Sequence, residues 1–292
     1  TITEIAAAAE VMRQKAIRIV PPAGKEVLDT CGTGGDRAGT FNISTTVAFV
    51  AAGAGIAVAK HGNRSVTSRS GSADVLEALG MDLSADPSRV QRALDEAGIT
   101  FMFAPRFHAA MKYAIGPRRE IAIRTIFNIL GPISNPAGVR RQVVGVFSEE
   151  LGDTYARVLA ESGHLHAFVV HGTDGLDEVS LAAPTIVWEV RDGKVKRFLF
   201  DPRPFGFEYV PLSALRGGDA AANAKILTGV LSGDPGPARQ AVLVNAAFAA
   251  VAGGAAEDLR EGVRAATRSI DSGAAMERLR AFLVILGKRE AR

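Results

Sequence analysis

A chain of 292 residues, 47% hydrophobic and 22% charged, has the make-up of an ordinary soluble globular protein, with length for one large domain or one large and one small. With 34 basic against 31 acidic residues the net charge is +3, so the pI of about 9.2 reflects a few unmatched arginines, and no basic run argues by itself for nucleic acid. The single cysteine, Cys31, excludes an internal disulfide; with no leader-like opening and an apolar stretch, Ala241 to Gly253, that is short and broken by Asn245, a cytoplasmic protein is expected.

Thr1 and Glu4 have capping-box spacing, and Ile5, Ala8, Val11, Met12 and Ala16 recur at helical intervals, so residues 2–18 read as an amphipathic helix stopped by Pro21-Pro22-Ala23-Gly24. Glu26–Asp29 is a short strand running into the glycine turn Gly32-Thr33-Gly34-Gly35-Asp36. Asn42 or Ser44 is placed to cap a helix over 45–52, which the glycines at 53 and 55 end. Ile56–Ala59 is a second strand that delivers Lys60-His61-Gly62-Asn63-Arg64. Ser72 then heads another helix, Asp86-Pro87 opens the next, and Ile99–Phe103 is a third strand. Each polar cluster follows a strand, as in a mostly parallel sheet whose ligand sits beyond the carboxyl ends of its strands.

Residues 107–130 break the alternation with helical pieces over 109–123 and 125–130 that end at Gly131-Pro132, and His108 and Arg118, three turns apart, are expected to share a helix face. Strand 142–147, helix 150–162 and strand 167–171 resume the pattern. A hairpin of 185–190 and 195–200 turns at Arg191–Lys194, and helices follow from Pro211. No internal repeat is present. The fold class expected is α/β, a mostly parallel central sheet flanked by helices, plus a small all-helical domain.

GTGGD is neither a Walker loop nor a dinucleotide fingerprint, and alone it is as well explained as a tight turn. A helix N-terminus just downstream makes it an anion cradle. The cluster Lys60–Arg64, followed by Thr67, Ser68, Ser70 and Ser72, concentrates donors suited to phosphate or pyrophosphate oxygens, where a solvated loop would be the plain alternative. Asp177-Glu178 after a strand is turn chemistry in isolation and a magnesium site beside a phosphate cradle. Cys31 has no base beside it in sequence and reads as a packed residue.

The segments GTGGD, NIST, KHGNRSVTSRSGSADVLEALG, RTIFNILGPISNPAG and HGTDGLDEVS, in this order from residue 4 to past residue 180, resemble the anthranilate phosphoribosyltransferases. These belong to the glycosyltransferase family that includes the pyrimidine nucleoside phosphorylases. The resemblance implies magnesium-dependent transfer of the phosphoribosyl group of 5-phosphoribosyl 1-diphosphate to anthranilate, with loss of pyrophosphate. It implies that Gly32, Gly35, Asp36, Thr40, Asn42, Ile43, Ser44 and Thr45 contact the donor. Lys60, His61, Gly62, Asn63, Arg64, Ser65, Val66, Thr67, Ser68 and Ser72 would close round its phosphates. Ser44, Asp177 and Glu178 would hold two Mg2+ ions, and Gly32, Asn63, His108, Arg118, Gly131 and Pro132 would line the anthranilate route, Arg118 on the carboxylate. No residue is expected as an obligatory general base, because the aniline nitrogen is already nucleophilic.

The family pattern further implies a homodimer and a small helical domain to which 1–22 and 105–132 contribute, with 23–104 and 133–292 forming the α/β domain and hinges near 21–24, 104–106 and 131–136. In the family more helices precede the one that starts here. Ala109 stands where a proline is usual, and Gly116-Pro117 precedes Arg118, a placement expected to kink the helix. Two alternatives are a nucleoside phosphorylase, disfavoured because Lys60-His61 is followed by Gly-Asn-Arg where that family has Ser-Thr-Gly-Gly, and a non-catalytic nucleic-acid-binding relative, disfavoured by intact NIST and Asp177-Glu178.

Overall fold

A computed structural model describes residues 1–36, 38–65, 69–121 and 125–288; the side chains of residues 115, 117–119 and 121 lie outside the description. Val66, Thr67, Ser68 and the Arg118 side chain therefore lie outside the described residues.

The chain opens with helix α1 (Ile2–Lys15), whose Thr1–Glu4 capping box forms as read from the sequence. Strand β1 (Val27–Gly32), α2 (Ile43–Gly53), β2 (Ala57–Gly62), α3 (Ser72–Ala78), α4 (Pro87–Arg92) and β3 (Ile99–Phe103) follow. The crossing segment holds α5 (Ala104–Phe107), α6 (Lys112–Ile121) and α7 (Leu130–Ile133). Then come β4 (Arg141–Gly145), α8 (Glu149–Glu161), β5 (His166–Gly172), β6 (Thr185–Arg191), β7 (Lys194–Phe200), and helices α9 (Ala220–Leu231), α10 (Pro237–Gly253), α11 (Leu259–Asp271) and α12 (Ala274–Leu286).

The strands form one sheet in the order β3-β2-β1-β4-β5-β6-β7, parallel from β3 to β5 and antiparallel from β5 to β7. The last pair is the expected hairpin. Its turn residues Asp192 (φ 50°) and Gly193 (φ 73°) both take the left-handed conformation that fits the strand twist. Successive strands step outward from β1 to β3, and the chain then returns to add β4 on the opposite flank of β1. The carboxyl ends of β1 and β4 consequently flank a topological switch point, where crevices open in sheets of this kind. Gly32 and Gly145 face each other there in register.

Apolar cores cover both faces of the sheet. The larger gathers α2, α10 and α12, with Phe168, Phe248 and Phe200 stacked edge-to-face at centroid distances of 5.1 and 5.0 Å. The smaller joins Ala9 of α1 to Leu130 and Ile133 of α7, Tyr155 and Leu159 of α8, and Trp188. Arg13 Nη1 donates to Ile133 O at 2.7 Å, tying α1 to α7. Among the described residues no helix is long and apolar enough to cross a membrane.

Local details differ from expectation in two places. His108 has non-helical backbone (φ −112°, ψ 63°) between α5 and a 3-10 turn at Ala109–Met111, so it does not share a continuous helix with Arg118. The backbone of α6 is helical through Gly116-Pro117, with the proline in its second turn. Gly131-Pro132 lie inside α7 rather than in a turn that ends a helix.

Candidate active site

The glycine turn leaves β1 at the switch point, and its backbone is committed to the neighbouring elements. Thr33 N–H donates to Gly145 O at 2.9 Å, and Gly34 N–H donates to Asp177 Oδ2 at 2.9 Å. Gly34 and Gly35 have φ of 64° and 91°, conformations that only glycine adopts without strain. Asp36 accepts from Ala38 N–H at 3.2 Å and faces Asp177. Thr40, half-buried, pairs with Arg216 in an isolated bridge that anchors the far end of the turn.

Helix α2 starts directly behind this turn. Asn42 occupies its N-cap position without capping it. Its side chain instead donates to Ser70 O at 3.1 Å and accepts from Asn223 Nδ2 at 2.9 Å, linking the turn to the basic loop and to α9. The helix N-terminus carries an anion: Ser44 N–H donates to Glu178 Oε1 at 3.0 Å. Ile43 is buried in the core, and Thr45 Oγ1 bonds Ser72 Oγ at 3.1 Å.

The basic cluster divides into a buried and an exposed part. Lys60 is 2% exposed, donates to Thr30 O, and its Nζ lies 3.5 Å from Ser44 Oγ. Burial lowers its pKa, while the facing carboxylates of Asp29 and Glu178 work to keep it charged. Asp29 is the hidden counterpart. It is fully buried, it accepts from His61 N–H at 3.2 Å and Asn135 Nδ2 at 2.8 Å, and burial raises its pKa against the pull of Lys60. Asn135 also donates to Ala59 O at 2.8 Å, so β1, β2 and the segment after α7 meet at one amide.

Asn63 and Arg64 are exposed at the loop tip. The guanidinium of Arg64 bonds Asp74 at 2.7 Å and Glu77 at 2.8 Å on α3, so in this conformation it braces the loop rather than facing the cleft. Asp74 also accepts from Ser65 N–H at 3.1 Å and Gly71 N–H at 2.8 Å, taking the capping role expected of Ser72.

His61 and His108 stack edge-to-face with centroids 5.0 Å apart. His61 Nδ1 donates to Gly131 O at 3.2 Å, while Nε2 of each ring has no hydrogen-bond partner among the described residues. Burial first, then the proximity of His108, pushes the His61 pKa down to about 3, and burial lowers that of His108. Both rings are neutral at physiological pH. Pro132 is buried beside them, and an apolar cavity of about 330 Å³ opens behind His108 between α1 and Met111, with Lys15, Tyr113 and Phe127 in its walls.

Asp177 and Glu178 complete the floor. Desolvation raises the pKa of Asp177, with Asp36 and Glu178 adding repulsion, and desolvation raises that of Glu178 to about 7 against the attraction of Lys60. Two carboxylates forced together beside a third invite a divalent cation to relieve the repulsion. With Ser44 they form an all-oxygen donor set suited to a hard ion. Among the described residues no group of three or more His, Cys, Asp or Glu forms a complete metal cage. Two carboxylates and a hydroxyl suit magnesium, which takes one or two protein carboxylates and fills its shell with water and substrate phosphate. Cys31 is buried, its pKa raised by burial and by Asp29, with Gln142 Nε2 at 3.3 Å, which suits packing rather than nucleophilic attack.

The loop residues marked in the sequence are brought together at the switch point, whereas the buried Asp29, Asn135 and Asn245 were not singled out there. Their only mark in the sequence is a polar residue set within or beside an apolar run.

A mostly parallel sheet with a polyanion cradle, paired carboxylates and a neutral imidazole wall at its switch point fits an enzyme that acts on a phosphorylated substrate. A family model described as "Glycosyl transferase family, a/b domain" matches residues 24–276. The anthranilate phosphoribosyltransferase of Pelotomaculum thermopropionicum is 54% identical over 287 residues, covering 98% of this chain and 83% of the relative. The crystal structure of the Thermus thermophilus enzyme superimposes with a TM-score of 0.92 at 43% identity, over 98% of this chain and 85% of that one. The Saccharomyces cerevisiae enzyme in complex with PRPP and Mg gives 0.88 at 34% identity over 98% and 80%; another structure of it holds 4-fluoroanthranilate. The chain belongs to the anthranilate phosphoribosyltransferase family.

Proposed function

We propose that this cleft transfers the 5-phosphoribosyl group of 5-phosphoribosyl 1-diphosphate to the amine of anthranilate and releases pyrophosphate. The observation that carries this reading is the convergence, at one switch point, of the glycine turn, the α2 N-terminus, Lys60 and the Asp177-Glu178 pair. The convergence supplies donors for phosphate and acceptors for metal side by side. The relatives' complexes with PRPP, Mg and 4-fluoroanthranilate support the same pairing of donor, metal and acceptor.

Displacement at the anomeric carbon builds positive character on the ribose while pyrophosphate departs as an anion. When bound, magnesium neutralises charge on the departing pyrophosphate. Asp177, Glu178 and Ser44 are the residues that would hold it, with two ions per site as our expectation. The glycine turn 32–36, the head of α2 at 42–45 and Lys60 line the diphosphate side in this reading, and Asn63 to Ser72 close over it. The neutral rings of His61 and His108, with Asn63, Gly131 and Pro132, shape the acceptor wall, and Arg118 takes the anthranilate carboxylate. A His61 pKa of about 3 makes it a poor base, so its role is orientation of an amine that is nucleophilic unaided.

Residues 1–22 and 105–132 act in this reading as a small helical unit closing on 23–104 and 133–292. Val11, Ile17, Tyr113 and Ile126 leave apolar side chains exposed on that unit, which supports a homodimer as the working form in the cytoplasm. Purified protein given Mg2+ and both substrates should form N-(5-phosphoribosyl)anthranilate, read as loss of anthranilate fluorescence. No product, or phosphorolysis of uridine instead, overturns the assignment.

A further inference from the structure

Helix α10 runs through the larger core as Ala241-Val-Leu-Val-Asn-Ala-Ala-Phe-Ala-Ala-Val-Ala252, and Asn245 is the one polar side chain in that run. It is 2% exposed. A buried amide is retained at a cost unless its donors and acceptor are matched. Here two of the three contacts fall on a single residue of the carboxylate loop and the third on the helix itself. Asn245 Oδ1 accepts from Val179 N–H at 2.9 Å, and Nδ2 donates to Val179 O at 2.9 Å and to Ala241 O at 2.9 Å. Both backbone groups of the residue after Glu178 are thus held from beneath.

The opposite side of the same loop rests on glycine. A Cβ on Gly145 would overlap the carbonyl oxygen of Asp177 and lie 2.6 Å from its carbonyl carbon, both rigid backbone atoms. A Cβ on Gly32, its partner in register, would meet Asp177 Oδ2 at 2.9 Å. Leu176 and Val179, on either side of the carboxylates, are 0% and 1% exposed. The Asp177-Glu178 peptide is therefore gripped between bare strand ends above and one amide below.

We propose that Asn245 is a positioning residue for the Asp177-Glu178 pair, holding it against the Gly32–Gly145 seat at the depth from which both carboxylates reach the cleft. The inference rests on the reading of that pair as magnesium ligands. Groups that orient metal ligands typically matter about ten- to a hundredfold in metal affinity.

The test compares Asn245→Leu, Asn245→Asp, Gly145→Ala and Asp177→Asn with the parent. Mn2+ binding in the presence of pyrophosphate is followed by loss of the free-ion electron spin resonance signal. Alongside it, the Mg2+ dependence of turnover and the KM for anthranilate are measured. Ser269→Ala serves as the control, because it removes a comparable buried hydrogen bond, to Val50 O at 2.7 Å, in α11. Asn245→Leu and Gly145→Ala are expected to weaken Mn2+ binding about tenfold or more and to raise the Mg2+ needed for half-maximal rate, with the anthranilate KM unchanged. Asn245→Asp keeps the acceptor for Val179 N–H but loses the donor to the carbonyl oxygens of Val179 and Ala241, so it is expected to weaken Mn2+ binding as Asn245→Leu does. Ser269→Ala is expected to lower the unfolding temperature without moving metal affinity.

Wild-type Mn2+ affinity in Asn245→Leu, with affinity lost in Asp177→Asn, overturns the proposal and leaves the metal reading standing. Wild-type affinity in Asp177→Asn overturns the metal reading itself. Should Asn245→Leu not fold, Gly145→Ala and Asn245→Asp decide, and wild-type Mn2+ affinity in Gly145→Ala overturns the proposal.

Discussion

Replacing Lys60 by Met tests the buried charge pair under the cleft. Lys60 is 2% exposed and Asp29 0%, so neither charge has water to fall back on. Removing one member of such a pair costs about 3–5 kcal/mol, because the other is left buried without its counter-ion. Asp29 keeps its bonds to Asn135 and the His61 N–H, which places the loss near the lower end, about 3 kcal/mol at pH 8. The pH dependence is the sharper signature. The folded pKa of Asp29 is already raised by burial, and without Lys60 it rises further, so the native state binds a proton that the unfolded state does not. Stability of the variant then falls as pH rises towards that pKa, by up to about 1.4 kcal/mol per unit, and is recovered on acidification. Urea unfolding of the parent, Lys60→Met, Asp29→Asn and the double variant at pH 5.5 and 8 measures this directly. The double variant should be more stable at pH 8 than Lys60→Met alone. A pH-independent loss, or a double variant no better than the single, would refute the pairing.

On the acid side, His61 and His164 have folded pKa values of about 3 and about 4, against 6.5 in the unfolded chain. Their contribution is complete above pH 6.5 and is lost as pH falls below it, at about 1.4 kcal/mol per unit for each ring. His164→Gln should lower the slope by up to about 1.4 kcal/mol per unit in unfolding experiments between pH 6.5 and 4.5. Gly71→Ala places a Cβ 2.7 Å from Arg64 C and 2.8 Å from Asn63 O, so the basic loop must move. The KM for 5-phosphoribosyl 1-diphosphate should rise by about an order of magnitude or more with little change in unfolding temperature. Arg64→Ala removes ion pairs whose members are 46%, 21% and 34% exposed, and chemical denaturation should show a loss below about 1 kcal/mol.

The strand and helix order was legible because each buried strand is a short apolar run closed by glycine or a polar cluster. The clustering of polar loops at the switch point was legible for a related reason. The donors lie on the loops that leave β1 and β2, contiguous in the chain, so their density shows without a fold. The caps were misread because Asn42 and Ser72 have more distant partners, and Asp74 reaches back to Gly71 instead. His108 was placed on a helix because its neighbours have helical spacing, yet its own backbone breaks there. Asp29, Asn135 and Asn245 have partners up to 106 residues away, as between the side chains of Asn135 and Asp29, and periodicity carries no record of such partners.

The two halves of the proposed chemistry rest on different cores. Ile43, at the head of α2, and Val179, beside the carboxylates, are bedded in the larger cluster, whereas Leu130 and Ile133, which carry the acceptor wall, belong to the smaller one with α1 and α8. Loosening the smaller core alone leaves an activated sugar held in place with nothing but water to meet it. Under the proposed function, the packing of α1 on α7 and α8 is then a matter of chemical economy as much as of stability, because it sets the wall against which the acceptor would meet the donor.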